Sequence, residues 1–345
     1  MSERKPATIK EIARLLGVSV STVSRALHNH PAIGLRTKTR VQQLAAEMDY
    51  EPNQAAILFK QRKTFNIGVV LPNLREWFFA EAIDGIEVVA NRNKYNVLIT
   101  TSKDDLEREK RILQTMKNNR VDGVIASLGK YTDNYEHFTA LDKYNIPVVF
   151  FDRVPHLPDF HKVFSNMNSA TREAIEFIIK KGHRHIAVIN GPPEMKSSRE
   201  RTEAYNQVLA RSGVTPDPNL IVSTDLTRDG TFHAMKKLLE QDPRPTVILV
   251  INDYIGLDAM YYAREQNLRI NEDISFVSYS NLPGVRYLDN PPIASVEQFP
   301  FEQGSKAAEI LMSLINRQPG TPMPDTFENI VINGQLIIRP AIPTT

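Results

Sequence analysis

Short apolar segments alternate with longer stretches of helical periodicity beyond Phe65. The short segments are rich in Val and Ile and are apolar on both faces, which is typical of strands in a parallel sheet covered by helices. We predict eight strands, over residues 66–71, 96–100, 121–126, 147–151, 185–190, 220–223, 247–251 and 274–279. We predict seven helices, over residues 78–93, 105–119, 169–181, 199–212, 229–240, 254–267 and 301–316. This number of units favours two doubly wound α/β lobes over a single sheet, with a closed eight-stranded barrel as the alternative.

Residues 8–48 have a different pattern, which predicts three short helices. Apolar side chains recur there at the spacing of one helix face. The three stripes are Ile9, Ile12, Ala13 and Leu16, then Val20, Val23 and Leu27, then Val41, Leu44, Ala45 and Met48. Gly17 follows the first stripe, where the end of a helix favours a residue that adopts positive φ. Ser19 is a candidate N-cap for the second helix.

Positive charge is concentrated in this N-terminal part of the chain. Residues 1–65 contain 11 Lys and Arg against 5 Asp and Glu, a net charge of +6. The remaining residues contain 31 against 35, a net charge of −4. A small basic segment on a mildly acidic body is the balance expected of a protein that binds a polyanion at one end. A basic tail without such a partner is the alternative.

The sequence lacks the motifs on which several classes of site depend. It contains no cysteine, which excludes disulfides and thiolate ligands. It contains no phosphate-binding G-x-x-x-x-G-K-[ST] loop, no G-x-G-x-x-G after the first strand, and no H-E-x-x-H or G-x-S-x-G. His183 and His185 enter a strand two residues apart and point to opposite faces, which favours a turn residue and a strand-edge residue over a metal pair. We therefore expect no enzyme, no catalytic residue, no metal and no cofactor.

The apolar runs of the chain are short. The longest span about five residues, whereas a membrane helix needs roughly 20. The first ten residues, MSERKPATIK, lack the apolar stretch of a secretory signal. We expect a soluble cytoplasmic protein with no membrane partner.

The segment TIKEIARLLGVSVSTVSRAL, residues 8–27, fits a helix-turn-helix. Apolar stripes brace both helices, Gly17 permits the tight turn, and small polar side chains occupy the start of the second helix. The N-terminal part of a recognition helix contacts base edges in the major groove of DNA. Arg25 can donate two hydrogen bonds to a guanine, and Ser and Thr hydroxyls can contact bases or phosphates. Two helices with hydroxyl caps and a solvated Arg25 are the alternative.

The composition of residues 49–64 predicts a linker between the two parts of the chain. They combine Asp49 and the Pro52-Asn53 step with a short apolar segment and a basic run at 60–63. Pro52 can lead into a helix and Asn53 can cap it, but so short a helix is unstable alone in water. We expect a linker that becomes helical only when it is held against a partner.

Taken together, these motifs resemble the lactose/galactose-repressor family of bacterial transcription regulators. The resemblance covers nearly the whole chain and rests on short motifs in one order: residues 8–27, TKTRV at 37–41, YEPN at 50–53, IGV at 67–69, VVFFDR at 148–153, KGHRHI at 181–186, Gly191-Pro192 and Asn252-Asp253. It implies a small all-α helix-turn-helix DNA-binding head over residues 1–50, and a hinge helix within 51–64. It also implies a two-lobed parallel α/β core that resembles periplasmic binding proteins, over 65–345, for effector binding and dimerisation. Lobe one is expected at about 65–160 and 291–322, and lobe two at about 161–290 and 323–345.

The resemblance also implies which residues contact DNA. Base-reading positions of the family correspond to Val20, Ser21, Thr22, Ser24 and Arg25, and phosphate-binding positions to Thr8, Ser19 and Thr37. Minor-groove positions in the hinge correspond to Asn53, Ala56 and Phe59. Phe59 stands where the family has a leucine that wedges between base pairs, and phenylalanine is itself a wedge residue. His28 replaces the asparagine usual after the recognition helix.

The effector site implied by the resemblance lies in the cleft between the lobes. Its positions correspond to Trp77, Phe78, Asp152, Arg201, Asn252, Ser280 and Gln298. The donors, acceptors and rings of this set suit a polyhydroxylated ligand. Ser280 and Asn166 stand where relatives often have Asp, which favours a neutral sugar with fewer acidic contacts or a less sugar-like ligand. The alternatives are a core role for Trp77 and a structural salt bridge for Asp152.

The function implied is that of a ligand-responsive, sequence-specific transcription regulator, most simply a repressor. Its partners would be double-stranded operator DNA, a small-molecule effector of carbohydrate type, and a second copy of the chain. Two heads of a homodimer would bind the half-sites of a pseudo-palindrome, because the two-fold axes match. A sugar-metabolising enzyme and a solute-binding protein on the same scaffold are the alternatives.

Overall fold

A computed structural model describes residues 7–50, 63–317 and 326–340. The chain divides into two compact units, Met1–Thr64 and Phe65–Thr345. Within the described ranges, no helix combines the length and the apolar character that crossing a bilayer requires.

The N-terminal unit contains three helices, α1 (Ile9–Leu16), α2 (Val20–Leu27) and α3 (Leu35–Glu47). Thr8 caps α1 in a capping box with Glu11, and Gly17 ends this helix at a φ of 67°. Ser19 caps α2 by accepting a hydrogen bond from the backbone N–H of Thr22. The three predicted helices and the predicted cap are thus present. The buried core of this unit is small: Ile12, Ala13, Val23, Ala26, Val41 and Ala45.

The predicted apolar stripe of α2 is wrong at one position. Val20 is 42% exposed, and the buried residues of this helix are Val23 and Ala26. Val20 is the first residue of the helix, so its side chain lies beyond the edge of a core that only three short helices form. The methyl group of Ala26 takes the place that the sequence pattern gave to a larger side chain.

The second unit contains two six-stranded sheets. The strands are β1 (Asn66–Leu71), β2 (Asn96–Thr101), β3 (Gly123–Ala126), β4 (Val148–Phe151), β5 (His161–Ser165), β6 (Ile186–Asn190), β7 (Ile221–Ser223), β8 (Val247–Val250), β9 (Ser275–Tyr279), β10 (Ala294–Glu297), β11 (Asn329–Ile332) and β12 (Gln335–Ile338). The first sheet has the order β11-β5-β4-β3-β1-β2 and is parallel throughout, with Asn66 paired to Asn96 at one end. The second has the order β12-β10-β9-β8-β6-β7, and only the β10–β12 pair is antiparallel. Both sheets are open, so the barrel alternative is excluded.

Helices cover the two sheets and define two lobes. They are α4 (Trp77–Arg92), α5 (Leu106–Asn118), α6 (Glu136–Thr139) and α11 (Pro300–Ile315) in lobe one, and α7 (Met167–Lys180), α8 (Lys196–Arg211), α9 (Arg228–Leu239) and α10 (Asp253–Glu265) in lobe two. The inner strands β1, β3, β4, β6, β8 and β9 are buried because both sheet faces carry helices there, whereas the edge strand β2 is largely exposed. Lobe one is held by a close crossing of α4 and α11: a Cβ built on Gly304 would lie 2.0 Å from the carbonyl oxygen of Ala82. Only glycine allows this approach.

Three segments cross between the lobes, and they lie elsewhere than predicted. The chain crosses between β5 and α7, between β10 and α11, and between β11 and β12. The predicted lobe boundaries at 160/161, 290/291 and 322/323 therefore need correction, because β5 and β11 pair in the sheet of lobe one and β10 in that of lobe two. Hydrogen bonds join the crossings: the Ser165 hydroxyl donates to the carbonyl oxygen of Gln298, and the Asn166 N–H to that of Ile332.

The sequence did not predict strand β5, because its first two residues are His161 and Lys162. Both are buried, and each is satisfied by tertiary contacts. His161 Nδ1 accepts from the backbone N–H of Glu328, and Lys162 Nζ donates to the carbonyl oxygens of Pro155 and Leu157. Burial lowers the pKa of both side chains.

Candidate DNA-binding surface and effector cavity

The start of α2 presents a row of small polar groups. The Ser19 hydroxyl lies 2.8 Å from the hydroxyls of both Ser21 and Thr22. Ser21 and Arg25 are exposed, whereas Thr22 and Ser24 are half-buried. Val20 is also exposed, so the start of α2 presents several polar groups and one apolar group to solvent. Polar groups can contact base edges, and an apolar group can contact a thymine methyl.

The segments beside α2 carry the other predicted DNA contacts. Thr8 is exposed at the start of α1, and Thr37 is half-buried in the first turn of α3. The ring of His28 is oriented by the carbonyl oxygen of Ser24, 2.8 Å from Nδ1, which leaves Nε2 toward solvent on an exposed side chain. Asn29 braces the loop that follows, because its backbone and side-chain oxygens accept from Lys38 and Gln42. The predicted hinge contacts Asn53, Ala56 and Phe59 lie outside the described residues.

A cavity of about 440 Å³ lies between the two lobes of the second unit. Six of the seven predicted effector residues line it: Phe78, Asp152, Arg201, Asn252, Ser280 and Gln298. They follow strands or begin helices on both lobes, at the carboxyl ends of the parallel strands, where open α/β sheets bind ligands.

Asp152 lies directly after β4 in the left-handed backbone region, at a φ of 58°. Its Oδ2 accepts a hydrogen bond of 3.2 Å from the Ser127 hydroxyl. Burial raises the pKa of Asp152 to about 6, although the charge of Arg153 opposes this rise. The ion pairs of Arg153 are with Asp104 and Glu76, at 3.0 and 4.0 Å, so Asp152 keeps acceptor capacity toward the cavity.

Arg201 is 5% exposed, and its guanidinium lies 4.5 Å from the centre of the Tyr279 ring. Its Nη2 donates to the sulfur of Met167 at 3.5 Å. Nε and Nη1 have no hydrogen-bond partner among the described residues. Burial lowers the pKa of this guanidinium, and the hydroxyl of Tyr279 and, to a smaller extent, the charge of Asp152 oppose the change. Arg201 is therefore a buried cation with free donors beside the cavity, which favours an acceptor-bearing ligand.

Asn252 and Ser280 are positioned by a buried carboxylate next to Asn252. Asn252 Oδ1 caps α10 by accepting from the N–H of Ile255 at 2.9 Å, which leaves its amide nitrogen available to a ligand. Asp253 is 1% exposed and accepts from the hydroxyls of Ser278 and Ser295 and from the N–H of Leu282. These bonds hold the turn in which Ser280 adopts a φ of 87°.

Two family profiles match the chain. Residues 8–53 match "Bacterial regulatory proteins, lacI family", and residues 64–337 match "Periplasmic binding proteins and sugar binding domain of LacI family". The chain belongs to the LacI family. It is a ligand-responsive, DNA-binding transcription regulator with a helix-turn-helix head and a periplasmic-binding-protein-like domain.

Individual members of the LacI family are similar over nearly their whole length. Catabolite control protein A of Priestia megaterium is 30% identical over 312 residues, which cover 90% of this chain and 93% of the relative. The ribose operon repressor of Haemophilus influenzae is 29% identical over 336 residues, which cover 97% and 98%. A transcriptional regulator solved with cellobiose has a TM-score of 0.72 at 26% identity and covers 96% of this chain and 99% of its own. These relatives are transcription regulators rather than enzymes.

Among the effector residues predicted for this LacI-family chain, Trp77 does not line the cavity. It is 40% exposed at the first residue of α4, whereas Phe78 is buried and faces the cavity. Consecutive residues of a helix point about 100° apart, so only one of the two rings can face the cleft. The sequence could not choose between them.

Sequence reasoning missed several side chains of the cavity wall. Met167 lies between Arg201 and Gln298, and its sulfur is near polar groups of both. Lys196 of lobe two lies 4.7 Å from the ring centre of Phe164 of lobe one. In another part of the cavity wall, the Tyr135 hydroxyl and His156 Nδ1 share a hydrogen bond of 2.9 Å. No motif signals these residues, because they meet only through tertiary packing, within one lobe or, for Lys196 and Phe164, between the two lobes.

Proposed function

We propose that this LacI-family regulator is a cytoplasmic, homodimeric repressor whose affinity for a pseudo-palindromic operator is controlled by a carbohydrate in the cavity. The observation that carries the proposal is that two donors of buried Arg201, Nε and Nη1, have no hydrogen-bond partner in the described part of the chain, while the acceptor Asp152 lines the same cavity. A ligand that supplies both acceptors and donors satisfies both side chains, and sugar hydroxyls do so.

The size and chemistry of the cavity support a carbohydrate. Its volume of about 440 Å³ lies within the roughly 300–1,000 Å³ typical of small-molecule sites. Phe78 offers an apolar ring for sugar C–H groups, and Asn252 offers an amide. The profile matched by the second unit is described as a sugar-binding domain, and one similar regulator was solved with cellobiose.

The proposed DNA contacts are those that the family resemblance implies, and the exposure of Thr8, Ser21 and Arg25 supports them. Val20, Ser21, Thr22, Ser24 and Arg25 read bases, while Thr8, Ser19 and Thr37, together with His28, hold the backbone. Asn53, Ala56 and Phe59 complete the contacts in the minor groove. Phosphate contacts fix position and base contacts give specificity, so the first set determines the operator sequence.

Two exposed apolar surfaces support a homodimer. On lobe one, Val88 of α4 and Leu98 and Ile99 of the edge strand β2 are each more than a third exposed. On lobe two, Tyr261 is 45% exposed and stacks on the half-buried Phe232, with ring centres 6.0 Å apart. Exposed edge strands and apolar patches of this kind mark interaction surfaces.

The regulator acts without catalysis in this proposal. The ligand favours one arrangement of the lobes, and the coupling between cavity and operator amounts to about 1–3 kcal/mol. Repression relieved by the ligand is the direction that we propose. The absence of recognisable catalytic motifs in the sequence disfavours the sugar-metabolising alternative.

Fluorescence anisotropy on purified full-length protein tests the proposal. Genomic fragments, including the upstream region of the gene, are titrated at low salt in the presence and absence of a panel of neutral and acidic mono- and disaccharides. We expect the protein to bind one fragment as a dimer, and we expect one sugar to weaken this binding. If no fragment binds under any condition, or if no sugar changes the affinity, the carbohydrate-controlled repressor is refuted.

A further inference from the structure

The first turns of α8 contain unsatisfied donors at the cavity wall. None of the described side chains caps the N-terminus of this 16-residue helix. The backbone N–H groups of the first turn of a helix lack partners within the helix and carry partial positive charge. Lys196, Ser197 and Arg199 of this turn all line the cavity.

Arg201, a buried side chain of α8, also has hydrogen-bond donors without a partner among the described residues. Arg201 lies four residues after Ser197, which places both on one face, and long helical side chains point back toward the N-terminus. Arg201 is only 5% exposed and therefore 95% buried. Its Nε and Nη1 atoms have no hydrogen-bond partner among the described residues. The buried hydroxyl of Ser198 is also without a partner there.

We propose that the effector carries an anionic group, a carboxylate or a phosphate, which binds at the N-terminus of α8 against Arg201 and Ser197. The proposal rests on the carbohydrate effector proposed above and specifies its class as an acidic or phosphorylated sugar. Uncapped helix N-termini bind such groups through backbone N–H groups, and a guanidinium is their preferred side-chain partner.

Five of the described carboxylates line the cavity, and two of them, Asp133 and Glu194, are exposed to solvent, which screens their charge. Glu200 is paired with Lys196 at 3.1 Å, and Glu76 accepts from Asn73 at 3.0 Å and lies 4.0 Å from Arg153. Asp152 takes up a proton more readily than an ordinary aspartate, because burial raises its pKa to about 6.

Calorimetry on the full-length protein tests the proposal with matched probes. Each series contains a neutral hexose, the corresponding aldonate or uronate, and the corresponding hexose phosphate, with inorganic phosphate as a competitor. We expect an anionic member to bind at least tenfold more tightly than its neutral counterpart, and inorganic phosphate to weaken it. The carboxylate and phosphate members distinguish the two sources of charge.

Three variants locate the anion. Arg201→Gln and Ser197→Glu are both expected to reduce the affinity for the anionic probe at least tenfold. Ser197→Glu adds a carboxylate that a helix N-terminus tolerates, so it tests the site without loss of folding. Arg211→Gln removes the same charge at the exposed end of α8 and is expected to bind like the wild type.

The outcomes separate this inference from the function on which it rests. If a neutral sugar binds as tightly as its anionic counterparts and releases operator DNA, the anion site is refuted and the repressor stands. Equal binding of the anionic probe to Ser197→Glu and wild type also refutes the anion site. If no sugar of either kind changes operator affinity, the carbohydrate effector itself fails.

Discussion

Replacement of Asp152 by Asn is expected to stabilise the ligand-free protein at neutral pH. The pKa of this aspartate rises from the usual 3.8 to about 6, chiefly through burial, while Arg153, Arg201 and Ser127 oppose the rise and Glu76 adds to it. The folded state therefore binds more protons than the unfolded state between these two values, and stability falls as the pH rises through that window. At 1.36 kcal/mol per pH unit, the full effect is about 3 kcal/mol.

The Asp152→Asn variant cannot ionise, so its advantage over the wild type should depend on pH. We expect the difference in unfolding free energy to grow by about 3 kcal/mol from about pH 4 to about pH 7.5. Urea unfolding followed by far-ultraviolet circular dichroism measures this difference. Glu176→Gln, which removes an exposed carboxylate on α7, serves as the control with no such trend. Parallel pH profiles for Asp152→Asn and wild type would show that the carboxylate is not destabilised by burial.

Three further variants test the head and the core. Arg25→Ala is expected to cost about 1–3 kcal/mol of operator binding and to relax one base position, whereas Thr37→Ala weakens all sequences alike, as measured by anisotropy on an operator library. Ser19→Ala should destabilise the head by about 1 kcal/mol through loss of the cap, and Ser19→Asp should keep this stability but lose DNA affinity. Gly304→Ala should destabilise lobe one by about 1–3 kcal/mol or more, because its methyl group meets a backbone carbonyl of α4, whereas Gly284→Ala has open space.

Each of these variants also has an outcome that contradicts its reasoning. An unchanged base preference removes Arg25 from sequence readout. If the head of the Ser19→Ala variant is as stable as that of the wild type, the Ser19 cap does not contribute to stability. Equal melting temperatures for Gly304→Ala and Gly284→Ala would mean that α4 and α11 can separate without cost.

Much of the fold was predictable because its signals are local. Helical spacing predicted α1, α2 and α3, with Ser19 as the cap of α2, and the eight Val- and Ile-rich segments correspond to β1 to β4 and β6 to β9. The strands that were missed are β5, β10, β11 and β12. β5 contains His161 and Lys162, whose burial depends on acceptors and donors far along the chain, and no local pattern records that.

The candidate site was predictable only in part. Motifs identified Asp152, Arg201 and Asn252, and the structure brings them to one cavity. The choice of Phe78 over Trp77 depends on the rotation of α4, which packing against α11 determines. Met167 enters the site because a crossing segment runs beside it.

The sequence by itself determined the helix-turn-helix, eight of the twelve strands described and the family, because periodicity and short motifs are encoded over a few residues. Only the tertiary structure decided the chemical state of the cavity. Arg201 is an ordinary arginine in the sequence. In the fold, Tyr279 and Met167 enclose it, so it is a buried cation, and two of its donors have no partner within residues 7–50, 63–317 and 326–340. Burial by the surrounding fold likewise raises the pKa of Asp152. Desolvation depends on what surrounds a group in space, and residues distant in sequence supply those surroundings.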